Sequence, residues 1–271
     1  MAPDVRPAPH LRFSYPTLLL VRVAGSFLSG RERAFAADAA QLFGTLEPPP
    51  SVEGLDRIPA TGSFVLVFNH YSSPTFPSWW GPIVISALVD RRRPLGRRGI
   101  CWAMSEAWTY PDVFRRNVCT PLSRWAFRRL ARVYGFVAMP PMPPRPHEVE
   151  ARALAVRRLL ALARRPSPPL IGLSPEGHDS PEARLMVPPS GVGRFLQQLG
   201  ARGLPFLPVG LYEQGSRLIV RFGEPCRLQI PSGLPRHERD AQACSQIMLA
   251  IGRQLPPALW GAYARDLAAR V

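Results

Sequence analysis

The chain has 271 residues, of which 46% are hydrophobic, and this is enough apolar material for one large folded domain rather than a disordered chain. Its formal net charge is +15, and all 34 of its basic residues are arginine because the sequence contains no lysine. The charge favours anionic partners such as a membrane surface, but no zinc-finger, RNA-recognition or basic-zipper pattern is present, so no specific nucleic-acid partner is predicted.

The N-terminal part of the chain predicts two helices after an irregular tail over residues 1–12. The helices cover residues 13–30 and 32–43 and are separated at Ser29-Gly30. The first has a broad apolar face with Arg22 near its middle. This helix either packs on the core or lies in the lipid headgroup layer. Residues 1–50 are thus predicted to form a tail and amphipathic helices suited to a membrane interface.

The rest of the chain alternates between short apolar runs and helical patterns. The runs predict strands at residues 64–68, 100–104, 136–139, 170–173, 206–212 and 218–222. Helices are predicted over residues 79–89, 125–134, 148–163, 192–199 and 240–255. The last two strands are separated by Glu213-Gln214-Gly215-Ser216, which predicts a hairpin turn.

This alternation predicts an α/β fold, namely a single domain with a mixed, mostly parallel twisted sheet flanked by helices. Residues 51–235 form the predicted core, and residues 236–271 form helices that pack on it. A segment rich in proline, residues 140–146, predicts an extended loop.

Two of the apolar runs end abruptly in polar residues. The first leads into Asn69-His70-Tyr71-Ser72, and the second leads into Pro175-Glu176-Gly177-His178-Asp179-Ser180. Open α/β sheets build their binding sites where parallel strands end. A neutral imidazole suits the role of a general base at physiological pH, and a glycine lets a ligand approach the backbone closely. We therefore expect His70 and Glu176 to share one cleft.

These two segments resemble conserved blocks of the glycerolipid acyltransferases, the family of lysophospholipid and 1-acylglycerol-3-phosphate acyltransferases. The first resembles the block Asn-His-x-Ser-x-x-Asp, and the second resembles Phe-Pro-Glu-Gly-Thr-Arg-Ser. Phe206-Leu207-Pro208-Val209 is similar to a further Val-Pro-Val block. The blocks occur in the family's order between about residue 50 and about residue 230.

The resemblance implies transfer of a fatty acyl group from acyl-CoA or an acyl carrier protein to a hydroxyl of a lysophospholipid or related lipid alcohol. It implies His70 as the general base, no metal and no cofactor beyond the acyl thioester. It also implies that substrate is bound by Asn69, Ser72, Thr75, Glu176, Gly177 and Ser180. A structural histidine in a loop is the alternative interpretation of His70.

The chain departs from the family's blocks at three places. Thr75 stands where the first block has its Asp, and Pro141 stands where the second block has its Arg, so that Arg145 is the nearest candidate cation for a phosphate. The third block has His178-Asp179 in place of Thr-Arg. Asp179 is the candidate to replace the missing acid beside His70, although an exposed turn carboxylate is the alternative. A second functional hypothesis is a non-catalytic lipid-binding relative that has lost the His-Asp pair.

The four cysteines are far apart and form no Cys-x-x-Cys pattern, which argues against a zinc cluster or a disulfide framework and for a reducing compartment. No apolar run reaches the roughly 18 residues of a membrane-spanning helix. We therefore expect a cytoplasmic protein that lies on the inner face of the cell membrane.

Overall fold

The computed structural model describes residues 10–97, 99–141, 145–180 and 182–269. Most of the predicted tail and the middle of the predicted proline-rich loop, residues 1–9 and 142–144, lie outside the described residues. The described chain forms one sheet with seven strands, β1 (Ser51–Glu53), β2 (Val65–Phe68), β3 (Ile100–Ser105), β4 (Val137–Met139), β5 (Leu170–Leu173), β6 (Phe206–Gln214) and β7 (Arg217–Phe222).

The strands lie in the order β1-β7-β6-β2-β5-β3-β4. Neighbouring strands are parallel except for β6 and β7, which form an antiparallel hairpin. The prediction of a mixed, mostly parallel sheet is therefore confirmed. As a consequence, β2, β3, β4, β5 and β6 all point their carboxyl ends toward the same edge of the sheet.

Eight α-helices accompany the sheet in the described residues, together with short 3-10 turns. They are α1 (Thr17–Ser29), α2 (Phe35–Phe43), α3 (Trp80–Arg92), α4 (Val113–Tyr134), α5 (Val149–Leu162), α6 (Val192–Gly200), α7 (Arg236–Gly252) and α8 (Ala264–Ala268). α1 packs on α4, α2 on α3, and α6 on α7. Residues of α2 and α7 belong to the same buried core as the strands.

The central strands are apolar along their whole length because both of their faces are buried. All four residues of β2 and all four of β5 are buried. Gly172 of β5 lies opposite Trp102 of β3, and a Cβ at position 172 would meet the indole ring at 2.2 Å. Glycine is therefore required there by the close approach of a neighbouring side chain.

Besides shifts of about one turn at the ends of α1 and α7, three elements differ from the sequence-based prediction. α4 begins at Val113, about three turns before its predicted start. Its first residues are exposed on all sides and so show no apolar stripe, and the helix continues through Pro121. β1 was missed because it is only three residues long. β6 extends to Gln214, which places Glu213 within the strand and not in the predicted turn.

Candidate active site

The polar segments singled out in the sequence meet at one edge of the sheet. β2 lies between β5 and β6 and runs parallel to both, so the three carboxyl ends are neighbours. β2 is followed by Asn69 and His70, β5 by the segment with Glu176, and β6 ends at Glu213-Gln214. Neighbouring strands are about 4.8 Å apart, within reach of side chains. His70 and Glu176 thus share one region, as the sequence predicted.

Asn69 connects the end of β2 to β6 through two side-chain hydrogen bonds. Its side-chain amide donates to the carbonyl of Leu211 at 2.8 Å, and its side-chain oxygen accepts from the Leu211 N–H at 2.8 Å. The side chain is buried, with 2% of the residue exposed. These contacts fix where the loop carrying His70 begins. The substrate contact expected of Asn69 remains a prediction.

Glu176 holds two segments of backbone through its carboxylate. Oε2 accepts from the main-chain N–H of His70 at 2.6 Å, and Oε1 accepts from the main-chain N–H of Met186 at 2.8 Å. The residue is 2% exposed. Burial raises the pKa of this carboxyl above its usual value, although both backbone hydrogen bonds and the nearby His70 act in the opposite direction. Glu176 therefore positions the backbone of His70 from the neighbouring strand end.

The imidazole of His70 contacts Asp179. Nδ1 lies 2.5 Å from Oδ1 of Asp179, which is closer than the roughly 2.7–2.9 Å of a charge-assisted N–H···O hydrogen bond. Nδ1 forms no well-directed hydrogen bond with any group of the described residues, so the contact with Asp179 is one of ion-pair distance. About a quarter of the His70 side chain and half of the Asp179 side chain are exposed, 26% and 52% respectively. The carboxylate is therefore both paired with the imidazole and partly open to solvent.

The surroundings of Asp179 favour its ionised form. Burial by itself raises the pKa of this carboxyl, but the close contact with His70 and the charge of that ring, with help from Ser78 and His178, bring it below the usual value of 3.8. Asp179 is thus ionised at neutral pH and can stabilise a positive charge on the imidazole ring.

Gly177 makes this arrangement possible by turning the chain between the two carboxylates. Its φ of 73° lies in the left-handed region, which glycine adopts without strain. Glu176 before the turn points inward to backbone groups, and Asp179 after the turn reaches His70. Ser180 is buried, and its hydroxyl accepts from the N–H of Arg184 at 3.3 Å. Contacts of Gly177 and Ser180 with substrate remain predictions.

Glu213 is a residue that the sequence analysis missed. Its carboxylate accepts hydrogen bonds from three hydroxyls of the loop after His70, those of Tyr71 at 3.2 Å, Thr75 at 2.7 Å and Ser73 at a short distance. Burial raises the pKa of Tyr71 to about 12, so its hydroxyl remains a donor at neutral pH. The only sequence signal for Glu213 was its place next to the end of a strand.

Thr75 is engaged by this carboxylate and forms no hydrogen bond to His70 in the described part of the chain. Ser72 is half-buried in the same loop. The expectation that Thr75 and Ser72 bind substrate remains untested. The contacts show that position 75 helps to anchor the loop to β6.

Arg145 forms no hydrogen bond or ion pair with His70, Glu176 or Asp179 among the described residues. It follows β4, which is three strands from β2, so the two strand ends are about 14 Å apart. Its main-chain N–H donates to Oε2 of Glu148 at 3.1 Å. Burial by itself raises the pKa of Glu148, but this bond and the charges of Arg124 and Arg145 bring it below its usual value. The structure therefore places Arg145 beside Glu148, and its contact with a phosphate remains a prediction.

The arrangement around His70 suits proton transfer. Asp179 occupies Nδ1, and no group among the described residues hydrogen-bonds Nε2. A carboxylate on Nδ1 orients the ring and stabilises the imidazolium form, which leaves Nε2 as the nitrogen that exchanges a proton with a reactant. An imidazole in this setting is suited to accept a proton at Nε2.

Two further properties bear on the kind of site. Within the described ranges, no group of three or more His, Cys, Asp or Glu side chains is placed to hold a metal ion. No helix in the part of the chain that the structure describes has the length and hydropathy to cross a bilayer.

Comparisons with known proteins add little to this picture. No protein-family model and no curated protein matches the chain. A solved structure that is similar is the 1-acyl-sn-glycerophosphate (LPA) acyltransferase PlsC from Thermotoga maritima, with 18% sequence identity over 94% of this chain and 88% of that chain, and a TM-score of 0.46.

Proposed function

We propose that this protein is an acyltransferase that moves a fatty acyl group from a thioester donor, acyl-CoA or an acyl carrier protein, to a hydroxyl of a lysophospholipid or related lipid alcohol. The observation that carries the proposal is the contact between His70 and Asp179 at the edge of the sheet. In this contact Asp179 provides a carboxylate partner for His70, the histidine of the acyltransferase-like first block. Position 75, where that block has its acid, is Thr75 in this chain. The resemblance of the sequence blocks adds the substrate class.

In the proposed reaction, Nε2 of His70 takes the proton of the acceptor hydroxyl as its oxygen attacks the carbonyl carbon of the thioester. The resulting tetrahedral intermediate collapses with cleavage of the carbon–sulfur bond. The imidazolium then returns the proton to the departing thiolate, which leaves as a free thiol. Asp179 stabilises the imidazolium while it exists, and Glu176 keeps the backbone of His70 in place.

The alternative of a non-catalytic lipid-binding relative rested on the loss of the His-Asp pair. The contact between His70 and Asp179 favours an enzyme over that alternative, because a carboxylate on Nδ1 has no evident use in binding lipid alone. The two hypotheses differ in whether the thioester is consumed.

We further propose that the protein acts at an anionic lipid surface, on the cytoplasmic face of the membrane. Large apolar side chains on two adjoining helices are exposed, and Phe27 of α1 packs against Trp125 of α4 to join the helices. Arginines are interspersed among them, which suits an anionic surface. The exposed apolar side chains are Leu18, Leu20, Val21 and Leu28 on α1 and Val113, Phe114, Val118, Leu122 and Trp125 on α4.

The test is release of free thiol from oleoyl-CoA by the purified protein on vesicles, with and without an added lysophospholipid. We expect release that depends on the acceptor, and a loss of about a hundredfold or more in His70→Ala, which keeps the main-chain bond to Glu176. His237→Ala is the matched control, since His237 is exposed on α7. Full activity in His70→Ala would refute the role of the base. Vesicle binding without thiol release from any acceptor would favour the non-catalytic alternative.

A further inference from the structure

A group of arginines lies at the edge of the sheet opposite to the one where His70 follows β2. The loops that lead into β5 and β6 carry them, and both strands begin beside the start of β2. β2 and β5 have four residues each, so the two edges are about 13 Å apart. We call these residues the arginine cluster; they are Arg164 and Arg165 before β5, Arg202 before β6, and Arg227.

The members of the arginine cluster are close to one another. Arg164 follows the end of α5 and Arg202 follows the end of α6, and these two helices pack together. Burial lowers the pKa of Arg202, and the charge of Arg164 lowers it further, so the two guanidinium groups are within electrostatic reach. Arg227 joins them, because its Nη1 donates to the carbonyl of Gly203 at 3.0 Å.

The charge of the arginine cluster is not balanced from within. Among the described residues no carboxylate forms an ion pair with any of its four members. In Arg202, Nη1 donates to the carbonyl of Gln198, while Nε is buried and forms no hydrogen bond in the described part of the chain. The carboxyl ends of α5 and α6 each supply about half a negative charge, which together offset about one of the cations. The cluster is therefore strongly positive.

A cavity of about 470 Å³ adjoins the cluster at Arg165. It lies between the loop before β5, the start of β3 at Cys101 and the end of α4 at Gly135, and Ser167 contributes a hydroxyl to its lining. Burial raises the pKa of the Cys101 thiol to about 11, and the charge of Arg165 acts in the opposite direction. A cavity of this volume is in the range of small-molecule sites. The cluster thus offers a concave surface beside its cations.

We propose that the arginine cluster is a binding site for a phosphate group, carried either by a lipid headgroup or by a small soluble molecule that enters the cavity. Guanidinium groups bind phosphate oxygens through paired, charge-assisted hydrogen bonds. A phosphate dianion would also remove the repulsion between neighbouring guanidinium groups. The inference does not depend on acyl transfer, because none of the four arginines contacts His70, Glu176 or Asp179 among the described residues.

The first experiment measures binding of inorganic pyrophosphate to the full chain by titration calorimetry, at an ionic strength held constant with sodium chloride. We expect one saturable site, and a rise of about tenfold or more in Kd when Arg164→Gln and Arg202→Gln are combined. The control combines Arg217→Gln with Arg236→Gln, two exposed arginines outside the cluster. It changes the net charge equally and should alter Kd by less than about twofold.

The second experiment separates the two sources of the phosphate. Sedimentation compares vesicles that contain dioleoyl phosphatidic acid, whose phosphate is terminal, with vesicles of equal surface charge that contain dioleoyl phosphatidylserine. A preference for phosphatidic acid that the cluster variant loses and the control keeps would assign the site to a lipid headgroup. Pyrophosphate binding without such a preference would assign it to a soluble molecule.

Two outcomes would overturn the inference. One is equal weakening in the cluster variant and the control with both probes, which would show a general effect of charge. The other is a wild-type protein that neither binds pyrophosphate nor prefers phosphatidic acid. If the double variant does not fold, Arg164→Gln alone, which changes an exposed side chain, is compared with Arg217→Gln. Thiol release at His70 is measured separately, so failure of the phosphate site leaves the proposed acyl transfer standing.

Discussion

Thr75 donates its hydroxyl hydrogen bond to Oε1 of Glu213 at 2.7 Å. Position 75 is where the acyltransferase-like first block has its acid, and in this chain that side chain is occupied by a carboxylate from another strand. The partner of His70 comes instead from Asp179, beyond the end of β5. The threonine at position 75 and the acid at position 179 are linked, because an acid at position 75 would face the carboxylate of Glu213.

Thr75→Asp is therefore expected to destabilise the protein and not to restore activity to Asp179→Asn. Two carboxylates at hydrogen-bond distance repel each other, and we expect a loss of about 1–3 kcal/mol in the free energy of unfolding. Urea denaturation at neutral pH measures this loss, and Glu213→Gln in the same chain should relieve most of it. Recovery of acyl transfer in Thr75→Asp with Asp179→Asn would contradict the expectation.

Glu213→Ala is expected to loosen the loop that carries His70. Three hydroxyls lose their acceptor, so amide hydrogen exchange over residues 70–76 should accelerate. We expect kcat to fall by about tenfold with a smaller change in KM, since the base is displaced while most binding contacts remain. Glu224→Ala is the control, because Glu224 forms an exposed ion pair with Arg57. Unchanged exchange in the loop would show that Glu213 does not anchor it.

Glu176→Gln is expected to be costly although the two side chains have nearly the same shape. The amide retains one acceptor oxygen and turns an NH₂ group toward a second N–H donor, so the main-chain N–H of His70 or of Met186 loses its partner. An unsatisfied buried group costs about 1–3 kcal/mol. Chemical denaturation should show a loss of this size, and Glu182→Gln should show almost none. Equal stability of the two variants would argue against the positioning role.

The pH dependence of stability is expected to reflect the lowered pKa of Asp179. Because the folded state binds this proton more weakly than the unfolded state, its contribution is present above the usual pKa of 3.8 and is lost as the pH falls through the lower folded value. Asp179→Asn should thus be less stable than wild type at neutral pH, and the difference should shrink on acidification below 3.8. The side chain is half exposed, so the difference should stay below about 1 kcal/mol. A difference independent of pH would contradict this explanation.

Binding to anionic vesicles is expected to weaken when charge is placed on the exposed apolar faces of α1 and α4. Leu28→Glu and Phe114→Glu each remove a side chain that would enter the lipid, and we expect a loss of about tenfold in partitioning for each. Vesicle sedimentation measures this loss. Val187→Glu is the control, since Val187 is equally exposed but lies outside both helices. Equal losses in all three variants would indicate a general effect of charge.

The sheet and the edge at which His70 and Glu176 meet could be predicted from the sequence because β2 and β5 are buried on both faces and end in polar residues. The contact of Asp179 with His70 was one of two interpretations that the sequence left open for this residue, and the backbone contacts of Glu176 could not be predicted. Whether Glu176 or Asp179 reaches the imidazole depends on the turn at Gly177 and on which N–H groups lie nearby. The spacing of residues along the chain does not determine which of the two carboxylates points toward the imidazole.

The role of Glu213 and the start of α4 were missed for different reasons. Glu213 acts through hydroxyls of a distant loop, and a single carboxylate at a strand end gives no sign of such partners. The first turns of α4 expose their side chains on all sides, so they lack the periodicity that marks a helix packed on a core.

A histidine and a carboxylate that meet from separate strand ends need not keep a fixed interval in the polypeptide. The acid can move from one loop to another during evolution while the pair of atoms stays in place, provided that both loops border the same strand. Search templates written as distances between an imidazole nitrogen and carboxylate oxygens would recover such rearranged pairs, whereas linear patterns of residues would pass over them.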